Sequence, residues 1–348
     1  LIRREAGITP KDKLIKTLEF YFDNKYVELI NKRIFIVEAD FSKERFGLLE
    51  EEYEKLANNV NWVINSAAKV THFGNYKEFE DINVKGTRNI VEFCSKFNKK
   101  LLHISTMSVS GNSIADTYSL STDKNKEYVY TEGDFYIKQS LENEYVRTKF
   151  EAEAIVLDSI KNGTDAYIAR MGNLTSRYYD GKFQRNINDN AFMNRLKSFI
   201  EIGNVPVSLA NEYLELTPID KAAQVIVLLT MYANKKNRIF HVYNNKFIEV
   251  KRFINAIEKN YNKIINILSD EEFSKKLKEL LKEKNELILQ GIAADLNENE
   301  TVNYGSNIKL NCDFTTHFLK KVGFEWNEID EEYLKNMFMY LRKIKFIE

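Results

Sequence analysis

The chain has little of several things that would point to particular functions. Its two cysteines, Cys94 and Cys312, cannot frame a disulfide-stapled fold. Neither stands at metal-ligand spacing with any of the four histidines, and this cysteine usage fits a reducing cytoplasm. Net charge is absent, because 51 basic and 51 acidic residues cancel, so no global field draws nucleic acid or an anionic membrane. The longest apolar run, Ala222 to Ala233 interrupted by Gln224 and Thr230, is too short to span a bilayer and reads as a buried helix. No signal-peptide pattern, internal repeat or low-complexity linker is visible.

What is present is a chain of 348 residues, long enough for a sizeable core and about two domains. Its organising stretch runs from Leu101 to Lys149. A short apolar strand, Leu101-Leu102-His103-Ile104, runs into the hydroxyls of Ser105 and Thr106. The stretch closes with Tyr145-Val146-Arg147-Thr148-Lys149 opening a helical pattern from Glu142 to about Ile160. At i and i+4, Tyr145 and Lys149 share one helix face. An ammonium beside a phenol lowers the phenol's pKa and brings a proton donor nearer to working pH. Three other pairs have the same spacing: Tyr21/Lys25, Tyr178/Lys182 and Tyr232/Lys236. Context separates them, since only Tyr145 follows a hydroxyl-ending strand and opens a helix that leads to another strand, Asp165 to Arg170.

Leu1 to Arg4 reads as the tail of a strand, followed from Thr9 by a helix with Pro10 in its first turn. A buried strand is expected at Arg33 to Glu38, delivering Asp40 and Phe41 to its carboxyl end. A charged helix spans Leu48 to Ala57, and the strand Asn61 to Asn65 ends in the small-residue turn Ser66-Ala67-Ala68. A long helix, Tyr76 to Phe97, leads to the strand ending at Thr106. Such alternation predicts right-handed crossovers and a doubly wound parallel α/β sheet, whose ligands sit beyond the carboxyl ends of the strands. Asp40, Ser66-Ala67, Thr106 and Gly172-Asn173 all fall at such ends, which points to a nucleotide cofactor. Beyond Arg170 the pattern predicts helices at Asn188 to Ile202, Ile219 to Ala233 and Val250 to Lys259, with an extended Glu215 to Pro218 and a strand Arg238 to Tyr243. Ser269 to Leu289 reads as a charged helix with Phe273, Leu277, Leu280 and Leu281 on one stripe, either a solvated cover or a lid over a substrate channel. A loop is expected at Asn297 to Asn307, then short helices at Thr315 to Lys321 and Glu331 to Ile344. The division expected is a dinucleotide-binding domain over 1–170 and a mostly helical substrate lobe over 171–348, some of whose elements return to the sheet.

Thr106, Tyr145 and Lys149, with Asn65-Ser66-Ala67-Ala68 before them, resemble the extended short-chain dehydrogenase/reductases. Ser66 to Gly74, Asn83-Val84-Lys85-Gly86-Thr87, Ser105 to Gly111 and Tyr145 to Glu153 are more closely similar to the thioester reductase domains of nonribosomal peptide synthetases and carboxylic acid reductases. Arg170 to Leu174, Leu216-Thr217-Pro218-Ile219-Asp220, Phe314-Thr315-Thr316 and Gly323-Phe324-Glu325-Trp326 agree as well, so the resemblance covers the whole chain. It implies NADPH-dependent release of a peptidyl or aminoacyl thioester from the phosphopantetheine arm of a carrier protein, expected upstream in the same polypeptide, as an aldehyde, which a second hydride would take to an alcohol. By the same resemblance Tyr145 serves the developing oxyanion, Lys149 the nicotinamide ribose and Thr106 the carbonyl oxygen. Arg3, Arg4 and Lys13 would meet the 2′-phosphate, and Asp40 and Phe41 would border the adenine. Ser66, Ala67, Ala68 and Ser105 would line the dinucleotide, with Gly172, Asn173 and Leu174 at its nicotinamide end. Asn83 is expected to pack the helix.

In one respect the sequence departs from the group. No Gly-rich turn for the pyrophosphate occurs among its 13 glycines, and the order 3-2-1-4-5-6 puts the missing strand at the centre of the sheet. The expectation is a native chain that continues upstream of Leu1. The competing readings are a fatty acyl-CoA reductase and, from another class, a non-catalytic docking module. A sugar-nucleotide epimerase fits less well, because Lys69 to Gly74 and the closing segment are unlike those enzymes.

Overall fold

The computed structural model describes residues 1–70, 75–114, 127–141, 143–282, 291–292 and 306–347. It is an α/β protein. Four parallel strands form its main sheet in the order β1 (Trp62–Asn65), β2 (Lys100–Thr106), β4 (Ala166–Met171), β9 (Ile239–Val242). β4 is buried along its whole length and β2 at Leu101–His103 and Ser105, as parallel strands covered on both faces tend to be. Register is set by the pairs Trp62–Lys100 through Asn65–His103.

The chain divides into two compact units. One comprises Leu1–Ser105, Asn143–Ile168 and Asn234–Arg238; the other comprises Thr106–Glu142, Ala169–Ala233 and Ile239–Glu348. In the first, α2 (Glu50–Asn59) and α4 (Gly86–Lys96) build an aromatic core. Tyr53 lies 5.1 Å from Phe93 and 5.3 Å from Phe46 between ring centres, edge-on in both cases, an arrangement that adds to plain apolar burial. α5 (Glu144–Lys161) begins where the Asn143 side chain accepts from the Val146 amide, an N-cap of the kind that fixes a helix start. Its buried face carries Lys149, Ala152, Glu153 and Val156, an apolar stripe with two charges inside it.

In the second unit the core gathers α6 (Ala191–Ile202), α9 (Val250–Tyr261), α10 (Asp270–Lys282) and the final helix Glu331–Lys343. Phe273 and Leu277 of α10 are buried in it and Leu280 packs against it, so this charged helix is fixed by an apolar stripe. Leu281, expected on that stripe, is 39% exposed. Residues 283–289 of the expected helix and 297–305 of the expected loop lie outside the described residues, as does Glu142.

Three expectations need correction. Arg33 to Glu38 is not a buried strand: its ladder amounts to isolated bridges at Ile34, to Ile30, and at Glu38, to Ile2, and Phe35 is 72% exposed. Without a continuous row of paired backbone groups, an apolar run of this kind stays irregular. Leu1 to Arg4 likewise pairs only through Ile2 among the described residues, its amide donating to the Val37 carbonyl at 2.9 Å. The helix expected over Tyr76 to Phe97 is a composite, since α3 (Tyr76–Phe79) passes through a π-helical segment, Glu80–Lys85, before α4. Such widened turns recur at functional sites, and this one carries Asn83.

Candidate active site

Lys149 is only 3% exposed, and its Nζ donates to the Ile104 carbonyl at 2.7 Å. β2 thus fixes the ammonium two residues before Thr106. Burial lowers the Lys149 pKa to about 8, with Glu153 one turn along opposing the shift. Tyr145 precedes it by one turn on α5 and is partly exposed, whereas Lys149 is buried.

Asn83 holds this helix in place. Its Oδ1 accepts from the Lys69 amide at 2.8 Å, and its Nδ2 donates to the Lys69 carbonyl and to Thr148 Oγ1 at 3.2 and 3.1 Å. Thr148 Oγ1 in turn donates to the Glu144 carbonyl at 2.9 Å. One buried amide therefore ties the loop after β1 to the turn of α5 that carries Tyr145 and Lys149. The π-helical widening at Glu80–Lys85 is what presents it there. These bonds give Asn83 a part in packing the helix.

Behind Lys149 lies a buried polar group on β1 and β2. His103 Nδ1 sits 3.1 Å from Asn65 Nδ2, and burial together with the Lys149 charge holds the imidazole pKa well below its usual value, so His103 is neutral. Ser105 Oγ is buried and has no hydrogen-bond partner among the described residues, and neither has Asn65 Oδ1. Unpaired polar atoms at strand ends are costly, and a ligand is one way to satisfy them.

In the second unit Thr106 ends β2 and caps the turn Met107–Ser110, its Oγ1 accepting from the Ser108 amide at 3.2 Å and donating to Ser108 Oγ at 3.1 Å. Beyond β4, Gly172 leaves no space for a side chain: a Cβ there would meet Glu215 Oε2 and Tyr243 Cβ, both at 2.5 Å. Glu215 Oε2 accepts from the Asn173 amide, and the Thr217 amide donates to the Asn173 carbonyl at 2.9 Å, next to the Leu174–Thr217 pair of β5 (Leu174–Thr175) and β8 (Thr217–Pro218). Burial raises the Glu215 pKa to about 7, against the hydrogen bonds from Thr217 and Asn173. Glu215 escaped the sequence reading; its one signal is a lone acid between Leu214 and Leu216, just before Thr217-Pro218.

The remaining candidates fall as follows. Ser66 and Ala67 are exposed and Ala68 partly so, giving an open, small-residue backbone beyond β1. Asp40 Oδ1 accepts from the Ser42 amide and hydroxyl at 3.1 and 2.5 Å, closing its own turn. Phe41 lies against Gly86, where a Cβ would meet its ring at 2.3 Å, and the Phe41 carbonyl takes a hydrogen bond from Asn89 at 2.8 Å. Arg3 is exposed; Arg4 pairs with Glu38 at 2.7 Å, and Lys13 pairs with Glu5. These exposed pairs hold two of the three expected phosphate ligands weakly, so exchange for a phosphate costs little. In the first unit, small residues beyond β1 and the buried Asn65 and Ser105 oxygens, unpaired among the described residues, suit a dinucleotide. His72 and the rest of 71–74 lie outside the described residues. Among the described residues no His, Cys, Asp and Glu cluster suits a metal, and no helix is long and apolar enough to cross a membrane.

Comparison with known proteins agrees with this geometry. Residues 1–226 match the model of an NAD-binding family described as Male sterility protein. The L-2-aminoadipate reductase large subunit of Candida glabrata is 28% identical over 261 residues, 72% of this chain and 18% of that protein. The chain spans 18% or less of the length of the first curated relatives it matches. A thiolation-reductase di-domain from an archaeal nonribosomal peptide synthetase is 33% identical, with a TM-score of 0.84, and is matched over 100% of this chain and 70% of its own. The reductase domain of the aureusimine biosynthetic cluster is 26% identical, with a TM-score of 0.77, over 99% of this chain and 83% of its own. The chain therefore belongs to this NAD-binding family, as an oxidoreductase of the extended short-chain dehydrogenase/reductase type related to the reductase domains of nonribosomal peptide synthetases.

Proposed function

We propose that this domain reduces an acyl or peptidyl thioester, held on the phosphopantetheine arm of a carrier protein, and releases it as an aldehyde with NADPH as reductant. The observation that carries the reading is the buried Lys149 ammonium, pinned to β2 one helical turn from a partly exposed Tyr145. NADPH, when bound, supplies a hydride to the thioester carbonyl carbon. Tyr145 donates its phenolic proton to the oxygen that gains charge, and Lys149 lowers the cost of the phenolate and hydrogen-bonds the nicotinamide ribose. Thr106 turns its hydroxyl from Ser108 to the same oxygen, adding a donor where charge develops. The resulting hemithioacetal collapses: the C–S bond breaks, the thiol leaves with the carrier and the aldehyde remains.

Arg3, Arg4 and Lys13 contact the 2′-phosphate in this reading, a role that suits guanidinium geometry. Asp40 and Phe41 border the adenine, Ser66, Ala67, Ala68 and Ser105 line the dinucleotide, and Gly172, Asn173 and Leu174 meet its nicotinamide end. The carrier precedes the domain in one polypeptide, as the thiolation-reductase pairing of the archaeal relative suggests, and the protein works in the cytoplasm. The test compares one acyl group as a phosphopantetheine thioester on a carrier protein and as its CoA thioester, following NADPH loss with an aldehyde trap. Faster turnover of the carrier-bound form supports the proposal; a preference for CoA assigns an acyl-CoA reductase instead.

A further inference from the structure

We propose that Glu215 is a positioning residue, whose carboxylate holds the Gly172–Asn173 turn in the shape that receives the nicotinamide end of the dinucleotide. This rests on the proposed function for the location of that end. The geometry is specific. Beyond β4 the chain has to turn, and its backbone groups need partners other than the next strand. The Asn173 amide finds one in Glu215 Oε2, and the Asn173 carbonyl finds one in the Thr217 amide at 2.9 Å. The other carboxylate oxygen, Oε1, accepts from Thr217 Oγ1, and that hydroxyl oxygen accepts from the Asn244 amide at 2.8 Å. The Gly172 amide donates to the Val242 carbonyl at 3.0 Å. A single side chain thus joins the turn after β4, the start of β8 and the residue that follows Tyr243.

Contact closes the arrangement from the other side. At Gly172 there is no room for even a methyl group between Glu215 Oε2 and Tyr243 Cβ. Gly172 therefore lies directly on the carboxylate, and whatever moves the carboxylate moves the turn. Among the described residues the titratable groups that face Glu215 are Tyr243 and Tyr333, both phenols whose pKa burial raises, so both stay neutral through the physiological range. Neither supplies a positive charge to hold the carboxylate ionised.

The consequence is a pH dependence of cofactor binding near neutrality. The ionised carboxylate offers acceptors to the Asn173 amide and the Thr217 hydroxyl; the protonated form gives up part of that capacity. Burial raises the Glu215 pKa to about 7, so the turn loosens as pH falls through that region. One pH unit below the midpoint, with only the ionised form binding well, apparent NADPH affinity falls about tenfold. Glu215→Gln keeps the shape and an acceptor for the Asn173 amide but cannot titrate. The 2′-phosphate and Lys149 also titrate in this range, and the Gln variant retains both, so the difference between the two profiles isolates Glu215.

The experiment is a titration of the full-length protein with NADPH, followed by fluorescence between about pH 6 and 8.5, for the wild type and Glu215→Gln. The Asn173 amide is followed by NMR in the same samples without cofactor. The expected result is a wild-type Kd that rises about tenfold from pH 8 to 6 and a Gln profile without that component, with the Asn173 amide titrating only in the wild type. Identical profiles for the two proteins overturn the inference and leave the proposed function standing. An Asn173 amide that titrates unchanged in Glu215→Gln overturns it as well. Absence of NADPH binding at every pH overturns both readings.

Discussion

Replacement of Lys149 by Met separates what the residue does for the reaction from what it costs the fold. A lysine ordinarily loses its proton near 10.5; burial brings Lys149 down to about 8. That displacement corresponds to about 3 kcal/mol against folding with the charge in place. Between those two pH values the unfolded chain binds more protons than the folded one, so wild-type stability rises with pH across this window, and below pH 8 the full cost is present. Lys149→Met removes the charge and keeps a side chain of similar reach. It also leaves the part-buried Ile104 carbonyl without its Nζ donor, a loss of about 1–3 kcal/mol. At pH 7 the two effects nearly cancel, and the variant is as stable as the wild type or about 2 kcal/mol more so. As pH rises from 7 to about 9.5, the wild type gains about 2 kcal/mol on the variant. Urea denaturation of both proteins at the two pH values measures the gain, and turnover of the variant collapses throughout. A stability difference that is the same at both pH values would refute the reasoning, because the charged state of Lys149 would then carry no folding cost.

Two further substitutions test the site. Tyr145→Phe should lower the turnover rate by about 10² to 10⁴, the range for a positioned proton donor, with NADPH affinity nearly unchanged by direct titration. Asn83→Ala should lower stability by about 2 kcal/mol in urea, since it removes the partners of the part-buried Lys69 amide and carbonyl and one hydrogen bond of the buried Thr148 hydroxyl.

The alternation of strands and helices was legible because parallel strands covered on both faces are continuous apolar runs, as at Leu101–Ile104 and Ala166–Met171. The Tyr145–Lys149 pair was legible for another reason: helix periodicity fixes which residues share a face. Arg33–Glu38 misled, because an apolar run declares a preference for extension but not whether a partner lies beside it. Glu215 was missed since its role depends on Asn173 and Thr217 meeting it across the β5–β8 pairing, and no local pattern states which loop a lone acid will face. The π-helical segment at Glu80–Lys85 was equally hidden. Its residues suit an ordinary helix, and only the contacts of Asn83 with Lys69 and Thr148 give the wider turn a purpose.

The most direct test of the central claim is isotopic. The full-length protein, supplied with an acyl thioester on a carrier protein, is given NADPH carrying deuterium at the transferable position, and the trapped product is examined by mass spectrometry. The account predicts one deuterium on the aldehyde carbon for each thioester released and its loss on Tyr145→Phe or Lys149→Met. Released product without deuterium would contradict it, since the thioester would then leave by a route in which neither the dinucleotide nor this pair takes part.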